Sequence, residues 1–229
     1  MPVRRPIAIA ACVCLAGSAG AQVADFEGLA EGFHGNTLVS GGIVFSRPWD
    51  RLDPPDSGQI FAIDYAASLA ESFPGTEAFV SGNVLNINGY VGGSGHAVLR
   101  VGSLDMTPAS VRTSVSVSLI YLVSDPRQGL DLSGNSVGLE AYRDGVLVGS
   151  AWELTDDVQY TTATGVGIGV MTLSLSGVAF DMVRFVTDGP AEGGAALMSL
   201  DNVVMIPAPG AAGVAGAVGA LVVGVRRRR

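Results

Sequence analysis

Apolar and polar positions alternate with a period of two along most of the chain, and clusters of Gly, Asp, Asn and Ser separate the runs. The longest run spans Ser110 to Val123. Val111, Thr113, Val115, Val117, Leu119, Tyr121 and Val123 share one parity, with Ser114, Ser116 and Ser118 on the other. One face of that segment suits a core and the other suits water, as in an antiparallel strand of a sandwich. Further short strands are predicted at Ile43–Phe45 after Gly41-Gly42, Gln59–Tyr65, Asn83–Ile87, Ala97–Val101, Met171–Leu175, Met182–Val186 and Ala196–Met205. Val137–Tyr142 and Val146–Trp152 flank Asp144-Gly145, the strongest hairpin signal in the chain, because the tight turn needs residues that tolerate positive φ. The apolar alternation places Trp152 in the core. Ala66–Glu71 is the one stretch suited to a turn or two of helix. About ten short strands without a long internal repeat predict an all-β fold, an antiparallel two-sheet sandwich or jelly roll.

The two chain ends break this pattern. Arg4 and Arg5 precede an apolar run, Ile7–Ala16, and the small residues Ala19-Gly20-Ala21. Charge, apolar stretch and small-residue cleavage site make a secretory signal over 1–21. Twin-arginine export and lipid attachment at Cys12 are the alternative routes. At the other end Pro207-Ala208-Pro209 precedes fifteen apolar residues, Ala211–Val225, and then Arg226, Arg227, Arg228 and Arg229. At ~1.5 Å per helical residue the apolar segment reaches ~23 Å, short of a ~30 Å hydrocarbon core. The arginines resist translocation and keep the end cytoplasmic. The expected organisation is therefore a signal helix (1–21), a β-sandwich (22–205) and a short C-terminal membrane helix or anchor (206–229).

Turn, greasy segment and arginine block together resemble the PEP-CTERM sorting signal of exported bacterial proteins, here with Ala208 where the family has Glu. The resemblance implies processing by an exosortase-like enzyme near Pro207–Pro209 and transient or permanent attachment to the inner membrane. Without such processing, the segment is a plain anchor.

Charge narrows the partners of the central region. Once both ends are set aside, seven arginines and no lysine stand against all 21 acids, for a net charge of −14 compared with −8 for the whole chain. Nucleic acid is excluded as a partner, because it requires basic patches. Both cysteines, Cys12 and Cys14, lie in the signal. No disulfide or thiolate chemistry is then open to the sandwich.

Catalytic signatures are missing. His34 and His96 both sit among glycines, no Gly-x-Ser-x-Gly elbow or zinc motif occurs, and Gly165–Gly169 lacks dinucleotide-loop spacing. A pair among 21 acids can always be found, so acid-pair hydrolysis has no specific support.

Asp25-Phe26-Glu27-Gly28-Leu29 and Ser199-Leu200-Asp201-Asn202-Val203 resemble the first and last strands of exported jelly-roll domains similar to galactose-binding-like carbohydrate-binding modules. That resemblance implies first and last strands side by side, and a structural Ca²⁺ held by Asp25 or Glu27 with Asp201 and Asn202; Ca²⁺ favours such hard oxygen donors. Solvated strand-end acids are the alternative. A sugar surface is the second candidate. Trp49 in Arg47-Pro48-Trp49-Asp50-Arg51 and Tyr90 among glycines are loop aromatics that either stack on a pyranose, with Arg47 and Asp50 bonding its hydroxyls, or fold back as a lid. The expected function is an exported cell-surface or matrix protein of structural or adhesive role, handled by export machinery and an exosortase-like enzyme and associated with extracellular polysaccharide. A secreted carbohydrate-binding module is the alternative, with a carbohydrate-active hydrolase behind it.

Overall fold

Strict alternation along one 14-residue strand sets the architecture. The computed structural model describes residues 20–46, 60–64, 76, 82–86, 88–89, 100–101, 103–127, 129–188 and 198–208. Their strands are β1 (Gln22–Ala24), β2 (Gly32–Phe33), β3 (Thr37–Ser40), β4 (Ile43–Ser46), β5 (Phe61–Asp64), β6 (Asn83–Asn86), β7 (Asn88–Gly89), β8 (Arg100–Val101), β9 (Leu104–Pro108), β10 (Arg112–Asp125), β11 (Leu130–Asp131), β12 (Ser136–Arg143), β13 (Val146–Leu154), β14 (Tyr160–Thr161), β15 (Gly167–Phe180), β16 (Met182–Asp188) and β17 (Met198–Pro207). Among the described residues none is α-helical, and Thr76 has 3₁₀ conformation.

Two antiparallel sheets carry the fold. The larger runs β14-β15-β10-β17-β6-β5-β2, with β1 also on β17 and β11 on β10; the smaller runs β13-β12-β16-β9-β4-β3. β10 is the spine of the larger sheet, paired with β15 from Arg112↔Phe180 to Ser124↔Gly167 and with β17 from Arg112↔Pro207 to Tyr121↔Met198. Its predicted inner residues Val115, Val117, Leu119, Tyr121 and Val123 are buried in the common core. Leu139, Ala141, Val183, Phe185, Leu104, Met106, Ile43 and Phe45 of the smaller sheet meet them there. The two-sheet β-sandwich expected from the alternation is therefore the fold.

First and last strands run side by side, as the resemblance implied: Gln22↔Met205, Val23↔Val204 and Ala24↔Val203. Arg112, 3% exposed, fastens this seam. Its Nε and Nη2 donate to Gln22 Oε1 at 3.0 and 2.6 Å, and its Nη1 donates to Gly20 O at 2.9 Å. Next to it, Thr113 Oγ1 donates to Pro207 O at 3.3 Å. Ile206 and Pro207 thus end β17, although the sequence assigned them to the C-terminal segment 206–229. Phe26 follows β1 at φ 60°, fully buried, and packs edge-on against Phe45 of β4 at 5.2 Å between centroids. An aromatic residue in the left-handed region is strained, and here the strained residue is fully buried against Phe45 of the smaller sheet.

Several predicted boundaries move outward. β15 is far longer than Met171–Leu175, and β3 and β9 were not anticipated. The Asp144-Gly145 turn is as expected, with φ 50° and 78°. The Ala66–Glu71 helix lies outside the described residues.

Tyr121 supplies a pH test of the core. Its ring passes over Gly169, where any side chain would collide with it, and its hydroxyl donates to Asp157 O at 3.4 Å. Burial, then the charges of Asp157 and Asp156, push its hydroxyl from 10.0 up to about 12. The folded state holds this proton more tightly than the unfolded chain does. Its stabilising contribution is therefore complete below pH 10.0 and is lost as pH rises toward 12. Phenolate absorbance followed together with near-UV circular dichroism should show one of the five tyrosines ionising last, as tertiary structure is lost. Ionisation of all five near the ordinary value, with structure intact, would contradict this placement.

Candidate functional site

The smaller sheet has a second face, and the chemistry gathers there. Val137, Leu139 and Ala141 of β12 point into the core, so Gly138, Glu140 and Tyr142 point away from it. The same alternation turns Arg184 of β16 outward between core residues Val183 and Phe185, with Val186 outward beyond Phe185, and Asp105 of β9 outward between Leu104 and Met106. Register then aligns these residues across the strands. Glu140 lies opposite Arg184, and Arg184 opposite Asp105. Trp152 and Val186 flank Gly138, and Leu147 and Met182 flank Tyr142.

Two hydrogen-bonded pairs and one cation–π contact link the central row with Tyr142. Arg184 donates from Nε to Asp105 Oδ1 at 2.6 Å and from Nη2 to Asp105 Oδ2 at 3.0 Å. A planar guanidinium on a carboxylate in this two-point mode is both strong and directional. The Arg184 guanidinium also stands 5.5 Å from the Tyr142 ring centroid, a cation–π contact of about 0.5–1 kcal/mol where solvent reaches it. Tyr142 in turn donates its hydroxyl to Glu140 Oε2 at 2.6 Å. The bond to Asp105 holds Arg184 charged more firmly than an ordinary arginine. The bond to Glu140 pushes the Tyr142 hydroxyl up, so that it keeps its proton.

Trp152 is 43% exposed and lies on this face, not in the core where the alternation placed it. Its ring covers Gly138: a Cβ built on that glycine would meet ring carbons at 2.6–2.7 Å. Two features overturn the core assignment. β13 is an edge strand, and its pairing with β12 skips a residue between Ala141 and Tyr142. The exposed Val146, Leu147, Val148 and Leu154 continue an apolar margin along the same edge. The result is an indole with one face on bare backbone and its other side accessible, next to a row of fixed hydrogen-bonding groups.

The predicted calcium ligands converge only in part. β1 delivers Asp25 and Glu27 to the point where β17 changes partner from β1 to β6. Glu27 lies over Gly82, and Asn83 Nδ2 donates to Leu29 O at 2.8 Å. Asp201 is 1% exposed, and its two oxygens accept from Asn202 N at 2.6 Å and Nδ2 at 2.7 Å, with Asn202 at φ 49°. Asp25 and Glu27 are exposed. Among the described residues no three His, Cys, Asp or Glu side chains are grouped to hold a metal ion. Segments meet here; a ligand set does not.

Other candidates fall elsewhere. Arg47, Trp49, Asp50 and Tyr90 lie outside the described residues, as do His96, Pro209 and Arg226–Arg229. Pro207 and Ala208 end the described chain. His34 Nε2 makes a 2.8 Å contact with Ala30 O, a local turn contact. Asp105, Glu140, Tyr142 and Arg184 escaped the sequence reading. The signal present was their parity, since each sits on the wet side of an alternating strand; the order of the three strands β12, β16 and β9 that unites them was not visible.

No protein-family model matches the chain, and no curated protein matches it by sequence. Solved structures with a similar arrangement include the CBM27-1 module of Caldicellulosiruptor saccharolyticus in complex with mannohexaose, at 16% identity and TM-score 0.49, covering 84% of this chain and all of that one. A CBM28 module specific for non-crystalline cellulose is similar at 13% identity and TM-score 0.35, over 56% and 78% of the two chains. The K1 cleaved adhesin domain of Lys-gingipain from Porphyromonas gingivalis W83 is similar at 12% identity and TM-score 0.37, over 82% and 98%. At these scores none of the likenesses bears on what the chain binds.

The Trp152–Gly138 contact can be tested by a double-mutant cycle. Valine suits a strand better than glycine, so Gly138→Val should stabilise unless the ring needs the space. Denaturant unfolding should show Gly138→Val costing about 1–3 kcal/mol in the native background and nothing, or a gain, beside Trp152→Ala. An equal cost in both backgrounds would remove the contact.

Proposed function

We propose that the chain is an exported, non-catalytic glycan-binding module whose ligand face is the outer surface of the smaller sheet. The observation that carries this reading is the Trp152 indole, seated on Gly138 beside the Asp105–Arg184–Tyr142–Glu140 network. A pyranose offers an apolar C–H face and a rim of hydroxyls, and an indole bordered by fixed donors and acceptors complements both. Because register and bidentate bonding set the polar groups in advance, little ordering is required on binding. A structural or adhesive role in extracellular polysaccharide then follows from binding, with no separate device needed.

Export and tethering rest on the signal over 1–21 and the PEP-CTERM-like segment over 206–229. The pairing of Gln22 with Met205 is compatible with them, since it brings the two ends of the sandwich close together. An exosortase-like enzyme cutting near Pro207–Pro209 would release or transfer the module. A structural Ca²⁺ belongs to the same proposal, with Asp25 or Glu27 swinging toward Asp201 and Asn202 to join the ends.

Affinity electrophoresis against a panel of soluble polysaccharides tests the ligand face. At least one should retard the protein, and Trp152→Ala should weaken that binding at least tenfold, about 1.4 kcal/mol. Hydrolysis of a retained glycan would favour the hydrolase reading over this one. For calcium, millimolar Ca²⁺ should raise Tm and a chelator should lower it, with the response lost in Asp201→Asn; an unchanged Tm would remove the metal.

A further inference from the structure

The charge and spacing of the outer face select among glycans, given that it is a glycan site. Along β12 the face presents three successive rows two residues apart. These are the Trp152–Gly138–Val186 row, the Glu140–Arg184–Asp105 row and the Leu147–Tyr142–Met182 row. Two residues of strand advance about 7 Å, so the first and third rows stand about 14 Å apart. One sugar ring cannot touch both, whereas a short run of linked rings can.

The central row is acceptor-rich. Arg184 commits Nε and Nη2 to Asp105, which neutralises its charge locally. Glu140 is left as a further carboxylate, and its one described bond takes a proton donor, the Tyr142 hydroxyl. One guanidinium against two carboxylates leaves the row with an excess negative charge. Asp188 stands exposed at the end of β16, and the whole chain carries a net charge of −8. Sugar hydroxyls donate readily to such carboxylates, and charge-assisted bonds of this kind are stronger than neutral ones. A ligand carboxylate or sulfate would instead meet like charge, with no uncommitted cation of the row to receive it.

We infer that this face takes an uncharged, linear pyranose chain laid along β12, one ring stacked on Trp152 and the next over the Glu140–Arg184–Asp105 row, and that it rejects anionic chains of equal length. The inference rests on the glycan-binding reading and adds the ligand class and its direction. Glu140 acts as the discriminating residue through its charge. Its neutral isostere keeps an acceptor for the Tyr142 hydroxyl and removes the repulsion.

Isothermal titration calorimetry on the full chain separates the outcomes. The probes are neutral hexasaccharides of β-1,4-linked glucose and mannose, the corresponding monosaccharides, and a hexamer of galacturonate at low ionic strength. At least one neutral hexamer should bind, its monosaccharide should bind at least tenfold more weakly, and galacturonate should bind at least tenfold more weakly than that hexamer. Trp152→Ala should abolish the neutral binding. Glu140→Gln should raise galacturonate affinity about threefold or more, an effect that fades with added salt and that a merely structural Glu140 would not give. Galacturonate binding as tightly as the neutral chains, and lost in Trp152→Ala, would overturn the inference while leaving the glycan face intact. Binding of neutral chains unchanged by Trp152→Ala would place the site elsewhere and overturn both, as would a failure of every probe and every polysaccharide of the panel to bind.

Discussion

Pairing of β10 on both sides is the constraint on which the rest depends. β15 and β17 each run antiparallel along it, so its register fixes theirs. A slip of one residue would turn Val115, Val117, Leu119 and Tyr121 from core to solvent and bring Ser114, Ser116 and Ser118 inward. No described residue is a cysteine, so no disulfide among them could hold the register if packing failed. The core must supply that specificity by its own complementarity. Tyr121 over Gly169 and Phe26 against Phe45 show how closely it does so. At the seam of the two chain ends, Arg112 adds a buried cation whose bonds to Gln22 and Gly20 hold β1 in place.

One face of the smaller sheet is committed to that core, and the other presents polar and aromatic side chains. That other face is filled by groups that satisfy one another across strands rather than along one. Asp105 and Arg184 lie 79 residues apart in sequence and are neighbours only because β9 and β16 pair. Each member of the network stands on a strand whose opposite side is buried. Trp152 reaches it from the edge strand, where an apolar residue need not be interior. The same edge leaves Val146, Leu147 and Leu154 exposed, an apolar border to a polar field.

The fold was legible because its signal is local. Alternation from Val111 to Val123 identified the core face of β10, and Asp144-Gly145 located the β12–β13 turn, where two successive residues adopt positive φ. Boundaries were less legible: β15 begins at Gly167 and runs through Gly169, where the Tyr121 ring needs the space that a side chain would fill. β9 was not among the expected strands, although Leu104, Met106 and Pro108 alternate with Asp105 and Thr107. The candidate site was the least visible part. Trp152 was read by the parity of a strand that is bulged and lies at an edge, and Glu140, Tyr142 and Arg184 drew no notice as ordinary wet-face residues. Their significance comes from sheet order, which no single segment encodes.

Sandwich, seam and outer face belong to one scaffold whose first and last strands pair with each other. The central claim is that ligand meets the smaller sheet at Trp152 and the row beside it. Mapping backbone amide shifts by NMR while titrating a bound neutral oligosaccharide tests that claim most directly. Perturbations should concentrate at Gly138, Glu140, Tyr142, Trp152 and Arg184. Shifts concentrated in the larger sheet, or around Trp49 with the smaller sheet silent, would contradict it.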